Sequence, residues 1–141
     1  MKDENLKTKI MVFGTFDGLH AGHLNFFKQA KKLAKNSKLI VSIARDKNVF
    51  LIKKTKPRLD EKKRFALLKK NKLVDEVVLS GVKNYLPHIL KIAPEYIALG
   101  YDQKAYVENL KKDLKKSGLT TEVVRMKPFK EKIYKNSLLR S

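Results

Sequence analysis

The chain contains no cysteine, so neither a disulfide framework nor a thiolate metal site can form. That absence is compatible with a reducing cytoplasm. Long apolar runs are also missing: the longest fall well short of the ~20 residues that a membrane-spanning helix needs. Residues 1–9 are polar and charged, and no apolar run follows that would suit a signal peptide. A cytoplasmic protein is therefore expected. Acidic residues are scarce, 14 against 33 basic, and the net charge is +19. Arginine is scarcer still, because 28 of the basic residues are lysine and only Arg45, Arg58, Arg64, Arg125 and Arg140 are arginine. Dedicated nucleic-acid binders favour arginine for bidentate contacts, and the lysines here are spread along the whole chain. Specific nucleic-acid binding is disfavoured on that ground. Attraction of small polyanions such as nucleotides is the better use of the charge.

With 141 residues, 43% of them hydrophobic, the chain suits one domain with a real core. Short apolar runs alternate with helical patterns and no repeat or low-complexity linker interrupts them. Residues 9–13 (KIMVF), 38–44 (KLIVSIA), 74–79 (VDEVVL), 95–99 (EYIAL) and 120–124 read as five strands. Helical spacing appears over 20–36, from Asp60 as N-cap to about Asn71, over 85–92, and over 103–117 with Gly118 as the stop. Residues 46–57 are expected to be a lysine-rich connection, residues 1–7 to be disordered, and the tail 127–141 to end in a short helix. Strand–helix alternation with continuous apolar strands predicts a single α/β domain: a five-stranded parallel sheet with helices on both faces. Ligands of such sheets sit beyond the carboxyl ends of the strands, near the point where strand order reverses.

The residues that carry chemistry lie at those strand ends. After the first strand comes Gly14-Thr-Phe-Asp-Gly-Leu-His-Ala-Gly-His23. Gly14 permits close backbone approach, and the helix start that follows offers unpaired N–H groups to an anion. His20 and His23 are three residues apart and share one face, with Gly22 between them leaving room for phosphates. Two imidazoles at a helix N-terminus suit a phosphate whose charge grows during in-line displacement. A capped helix with two incidental histidines is the plain alternative. A zinc pair is another, but it lacks carboxylate or thiolate ligands at the usual spacing.

GTFD followed by HxGH closely resembles the cytidylyltransferase-like branch of the HxGH nucleotidyltransferase superfamily. The likeness runs from Met11 to about Ser137, and the Rossmann-like core of that branch is the fold it implies. The branch includes glycerol-3-phosphate and phosphoethanolamine cytidylyltransferases, archaeal-type FAD synthases and phosphopantetheine adenylyltransferases. The resemblance implies transfer of a nucleoside monophosphate from a nucleoside triphosphate to a phosphorylated acceptor, with a divalent cation such as Mg2+ held mainly by the triphosphate. It implies that His20 and His23 bind the triphosphate and stabilise the transition state. Thr15, with the backbone around Gly14 and Phe16, would contact phosphate, and Asp17 would lie at the acceptor side or the phosphate. Lys53, with Lys54 and Lys56 as neighbours able to take its role, would reach the phosphates. Arg64, in Glu61-Lys-Lys-Arg64, would lie near the same pocket.

Leu99-Gly-Tyr-Asp-Gln103 resembles the LGxDQ of archaeal-type FAD synthases and the MGDDW of glycerol-phosphate cytidylyltransferases. Gly100, Asp102 and Gln103 thereby become candidate nucleotide contacts, although Asp102 alone reads equally as a helix N-cap. The RTxGISTT segment of many relatives is absent. Lys130 or Lys132 would replace its arginine, and Asn136 and Ser137 its hydroxyl end. This departure favours FAD synthesis from ATP and FMN over CMP transfer to a phospho-alcohol. A non-catalytic nucleotide- or RNA-binding protein on the same fold is the third reading. Tyr101, Tyr106, Phe129 and Tyr134 could stack on an isoalloxazine ring, or simply pack. Relatives are often dimers, so a homodimer is compatible with the resemblance.

Overall fold

Residues 8–14 form the central strand because nearly every side chain in the run finds an apolar neighbour on one face or the other. In β1 (Thr8–Gly14), Ile10 and Val12 face a layer containing Phe27, Ala30 and Leu68, while Met11 and Phe13 face Ile89, Leu110 and Leu114. This two-sided burial is the period-2 signature of a parallel strand covered by helices. The computed structural model describes residues 6–80, 86–103 and 107–128, without the side chains of residues 51–53, 107 and 108.

The remaining elements follow in alternation: α1 (Ala21–Lys31), β2 (Ser37–Ile43), α2 (Asp46–Lys53), α3 (Glu61–Lys69), β3 (Glu76–Leu79), α4 (Leu86–Ile92), β4 (Tyr96–Leu99), α5 (Val107–Lys116) and β5 (Glu122–Arg125). The five strands are all parallel, in the order β3-β2-β1-β4-β5. Strand order reverses at β1. There the β1–β2 ladder runs on to Gly14↔Ile43, whereas the β1–β4 ladder ends at Met11↔Ile97. The carboxyl ends of β1 and β4 therefore part, and the crevice between them is where the fold places a ligand. Among the described residues no helix is long and apolar enough to cross a membrane.

The expected sheet is present, and two helices differ from expectation. Helix α1 stops at Lys31, several residues early. Leu33 donates its N–H to the Ala30 carbonyl in a tighter turn, Leu33 and Ala34 pack back on the core, and the Ser37 hydroxyl donates to the Lys31 carbonyl at 2.8 Å. Residues 46–53, expected as a connection, form α2 instead. Lysines at 47 and 53 obscured a short amphipathic turn in which Val49 is buried. Lys54 closes α2 in the left-handed region (φ 62°), a conformation that costs a non-glycine residue ~1 kcal/mol. Residues 1–5 and the tail beyond residue 128 lie outside the described residues, so the disorder and the short helix expected there do too.

Candidate active site

The loop leaving β1 is built on its own aromatic ring. Phe16 adopts φ 52° and turns its ring back under Gly14, where an added Cβ would meet the ring at 2.7 Å. The close approach that Gly14 permits is thus to Phe16. Phe16 is 6% exposed and packs on Phe27 (centroids 5.5 Å) and, edge-on, on His23 (5.4 Å). The Phe16 ring is thus the floor on which His23 rests, while its backbone remains in the loop between β1 and α1.

Asp17 next ties the loop to the segment before α3. Its carboxylate accepts the backbone N–H of Arg58 at 2.5 Å and of Leu59 at 2.6 Å, and Arg58 Nη2 returns a bond to the Asp17 carbonyl at 3.3 Å. Burial alone would raise this carboxyl. The N–H groups of Leu59 and Arg58, with the charges of Arg58 and Arg64, outweigh it and hold Asp17 below its ordinary value. Gly18 follows at φ 119°, a backbone that L side chains rarely adopt.

His20 is the N-cap of α1, so the capped-helix reading and the functional one describe the same residue. Its Nδ1 accepts from the N–H of Gly22 (3.0 Å) and His23 (3.4 Å), and His23 Nδ1 accepts from the His20 N–H (3.3 Å). The two rings stack with centroids 3.9 Å apart and 21° between planes. This is a capping box made from two histidines. It has two consequences. The N–H groups of His20, Gly22 and His23, expected to face an anion, are taken by the rings. And a neutral imidazole that accepts at Nδ1 carries its proton on Nε2, so each ring is a donor there. Burial, then the neighbouring His20, push the His23 pKa down to about 4. His23 is therefore a neutral, oriented donor at physiological pH.

That depression makes stability pH-dependent. An unfolded chain protonates this ring near its ordinary 6.5, whereas the folded chain resists until about 4. Between those values the unfolded state binds more protons, so stability falls as pH drops. His88, also lowered by burial and by Arg45 and Lys91, acts in the same direction. The melting temperature is expected to decline from pH 7 to pH 4 with a smaller slope in His23→Gln than in the parent. Parallel slopes in the two proteins would contradict the assignment.

Arg64 lies beneath the loops after β1 and β2, bonded to their backbone. It is wholly buried, with Nε donating to the Leu59 carbonyl (3.1 Å), Nη1 to the carbonyls of Thr15 (2.8 Å) and Ala44 (2.7 Å), and Nη2 to Asp46 Oδ1 (2.7 Å). Helix α3 delivers it: Asp60 caps the helix by accepting from the Lys63 N–H at 2.8 Å, and Arg64 and Leu68 share the inner face. Asp46 and Glu61 exchange reciprocal bonds to each other's N–H at 3.1 Å. The guanidinium thus joins the loop after β1, the end of β2 and the start of α3.

Across the crevice, residues 100–103 make a tight turn closed by Gln103 N–H to the Gly100 carbonyl at 3.1 Å. Asp102 is exposed at its tip. Gly100 needs no special room from its described neighbours, since an added Cβ would lie 3.8 Å from Gln103. The side chain of Gln103 bonds backbone at both ends, to Gly100 and to Phe13. Thr15, in the loop after β1, and Gly22, in the first turn of α1, are half-buried. Lys53 ends α2 with its side chain outside the described residues, as are Lys130, Asn136, Ser137, Lys132, Tyr106, Phe129 and Tyr134. Among the described residues no group of three or more His, Asp or Glu side chains forms a metal cage.

Sequence reasoning missed several residues that shape the site. Gln29 on α1 exchanges side-chain bonds at 2.8 Å with the N–H and carbonyl of Lys127, docking the segment after β5. Arg45 donates to the Ser80 carbonyl (2.7 Å), Arg58 to that of Asp17, and Arg125 to the Gly100–Gln103 turn. One signal was present. In a chain whose cations are nearly all lysine, Arg45, Arg58, Arg64 and Arg125 each bond backbone carbonyl oxygen near the carboxyl end of the sheet, and Arg64 does so with more than one nitrogen of its planar fork.

Comparison with known proteins places this geometry. The cytidylyltransferase-like family model matches residues 11–138. The chain is 44% identical over 122 residues to an FAD synthase of Korarchaeum cryptofilum, covering 86% of this chain and 82% of that protein. It is 42% identical over 127 residues to an FAD synthase of Methanosarcina mazei, covering 90% and 82% respectively. Among solved structures, a lipopolysaccharide core biosynthesis protein of Thermoplasma volcanium superposes with a TM-score of 0.78 at 34% identity, over 86% of this chain and 98% of that one. A pantoate-beta-alanine ligase of Francisella tularensis shares the fold alone, with a TM-score of 0.60 and 16% identity over 85% of this chain and 59% of the ligase. The HxGH residues, the parallel sheet that presents them and the matched span agree: the chain belongs to the cytidylyltransferase-like family.

Proposed function

We propose that this chain is an FAD synthase, a nucleotidyltransferase that moves AMP from ATP to FMN. The observation that carries the choice of substrates is the sustained identity, 40–44% over most of the chain, to FAD synthases of several archaea. In the reaction a phosphate oxygen of FMN attacks the α-phosphorus of ATP. A new P–O–P linkage forms, the bond from the α-phosphorus to the β-phosphate breaks, and pyrophosphate leaves with the electron pair.

No side chain at the site acts as a covalent nucleophile in this scheme, so positioning and charge neutralisation supply the rate. His20 and His23 direct Nε2–H toward the triphosphate oxygens on which charge develops. Thr15, Gly22 and the backbone of Gly14 border the phosphates, and Lys53 supplies a cation. Asp102 accepts from the ribose or base. Lys130, Asn136 and Ser137 complete the phosphate contacts from the tail. A divalent cation, bound with the triphosphate, adds charge neutralisation. The oxygens of Asp17 already receive two backbone N–H groups, which fits a cation held by phosphate and water more than by this carboxylate. Asp17, Phe16, Arg64 and Gln103 act through the backbone they hold.

The test offers the purified protein ATP or CTP, with Mg2+, against FMN, glycerol phosphate, phosphoethanolamine and phosphopantetheine, and monitors pyrophosphate. FAD formed only from ATP and FMN is the expected result. A cytidine product, or no turnover with any pair, overturns it.

A further inference from the structure

The turn at residues 100–103 is gripped from two sides, by two side chains whose roles differ. The first grip comes from within. Beyond Met11↔Ile97 no ladder pair joins β1 to β4, and the Gln103 amide takes the place of a rung. Its Oε1 accepts the Gly100 N–H at 3.2 Å and its Nε2 donates to the Phe13 carbonyl at 3.3 Å. The crevice is thereby bridged at its base.

The second grip comes from β5. Arg125 ends that strand opposite Leu99. Its Nη1 lies 2.8 Å from the Gly100 carbonyl, 2.9 Å from that of Gln103 and 3.4 Å from that of Tyr101. Three carbonyl dipoles that converge repel one another, and a cation between them reverses the sign of that interaction. All three contacts fall on one terminal nitrogen, which a guanidinium carries one bond farther from the backbone than a lysine carries its ammonium. Asp102, in the same turn at the strand ends, is exposed, as is Arg125 itself.

We propose that Arg125 is a positioning residue for the nucleotide: it holds the turn 100–103 in the shape that forms one wall of the crevice between β1 and β4. The inference rests on the nucleotidyl-transfer reading of that crevice, and not on which acceptor is used. Arg125 acts on affinity for the nucleoside triphosphate through the turn, and it touches no reacting atom.

The experiment compares the parent with Arg125→Lys and Arg125→Gln. Titration calorimetry measures ATP and CTP binding without acceptor, and steady-state assays give kcat and the KM of each substrate. In both variants the Kd and KM of the bound nucleotide are expected to rise about 5- to 20-fold, while kcat and the KM for FMN stay within about twofold, as for loss of uniform binding. Lysine is expected to restore little of the lost affinity, because its ammonium ends one bond short of the position Nη1 holds among the three carbonyls. Unchanged nucleotide affinity, full rescue by lysine, or a fall in kcat at constant KM each overturns the proposal. So does a parent protein that binds neither nucleotide. A parent that binds ATP but makes no FAD removes the FAD synthase reading alone, and the calorimetry still decides Arg125.

Discussion

Arg64→Met is expected to lose about 2–4 kcal/mol of folding stability, below the usual cost for a fully buried charged pair because the Asp46 side chain is 35% exposed. Methionine approximates the volume of the arginine stem, so a cavity is not the main effect. What remains is Asp46 without its 2.7 Å partner, and the carbonyls of Thr15, Ala44 and Leu59 without donors. Each such group costs ~1–3 kcal/mol when left unpaired away from water. Among the described residues the parent leaves no buried side-chain polar atom without a partner, so this loss has nothing to hide behind. Native domains hold only about 5–15 kcal/mol in total, which places the variant close to unfolding at ambient temperature. Urea titration of the purified protein reads the loss directly. Arg64→Lys provides the companion measurement: it keeps the charge beside Asp46 but bonds fewer of the carbonyls, and an intermediate midpoint is expected. An unchanged midpoint in Arg64→Met would mean that the network is ornamental. Because Thr15 and Ala44 flank the loops after β1 and β2, the surviving folded fraction should also bind nucleotide less well.

His23→Ala is expected to lower kcat in FAD formation by about 10²–10³, the range found when a preorganised transition-state donor is removed. The geometry explains why so much rests on one ring. His23 is fixed by stacking on His20, by an edge contact to Phe16 and by the bond its Nδ1 accepts, so its Nε2–H is aimed before substrate arrives. Its depressed pKa keeps the ring neutral, and the donor does not depend on a proton gained at physiological pH. The variant should retain its fold, because α1 keeps His20 as its cap and Phe27 and Ala30 in the core. A loss confined to kcat, with the melting temperature lowered by only a few degrees, separates chemistry from stability. Wild-type kcat in His23→Ala would remove this ring from the mechanism.

Much of this architecture is legible in the order of residues, for reasons that are local. A run such as KIMVF buries both faces wherever it lies, so β1 could be read without knowing its neighbours. Asp60 announces α3 because an N-cap bonds a backbone N–H three residues on. The HxGH spacing carries its message for the same reason, since two histidines three apart on a helix start must share a face. Helix α2 was hidden because its lysines read as solvated loop, while the burial of Val49 gains meaning only when the sheet is beneath it.

Other roles are long-range, and no spacing encodes them. Arg64 meets Thr15 and Ala44 across 49 and 20 residues of chain, and its partners there are carbonyl oxygens, which every residue possesses. Nothing in GTFD announces that the Phe16 ring lies beneath Gly14. Nothing in LGYDQ announces that the Gln103 amide bonds Gly100 and Phe13. What the sequence by itself determined is the alternation that builds a parallel α/β sheet, the strand ends where such folds place a ligand, and the histidine pair at the start of a helix. What only the tertiary structure decided is which polar side chains hold the loops around those strand ends. Periodicity and capping act within a few residues, whereas a side chain that bonds distant backbone takes its role from whichever carbonyls the fold brings to it.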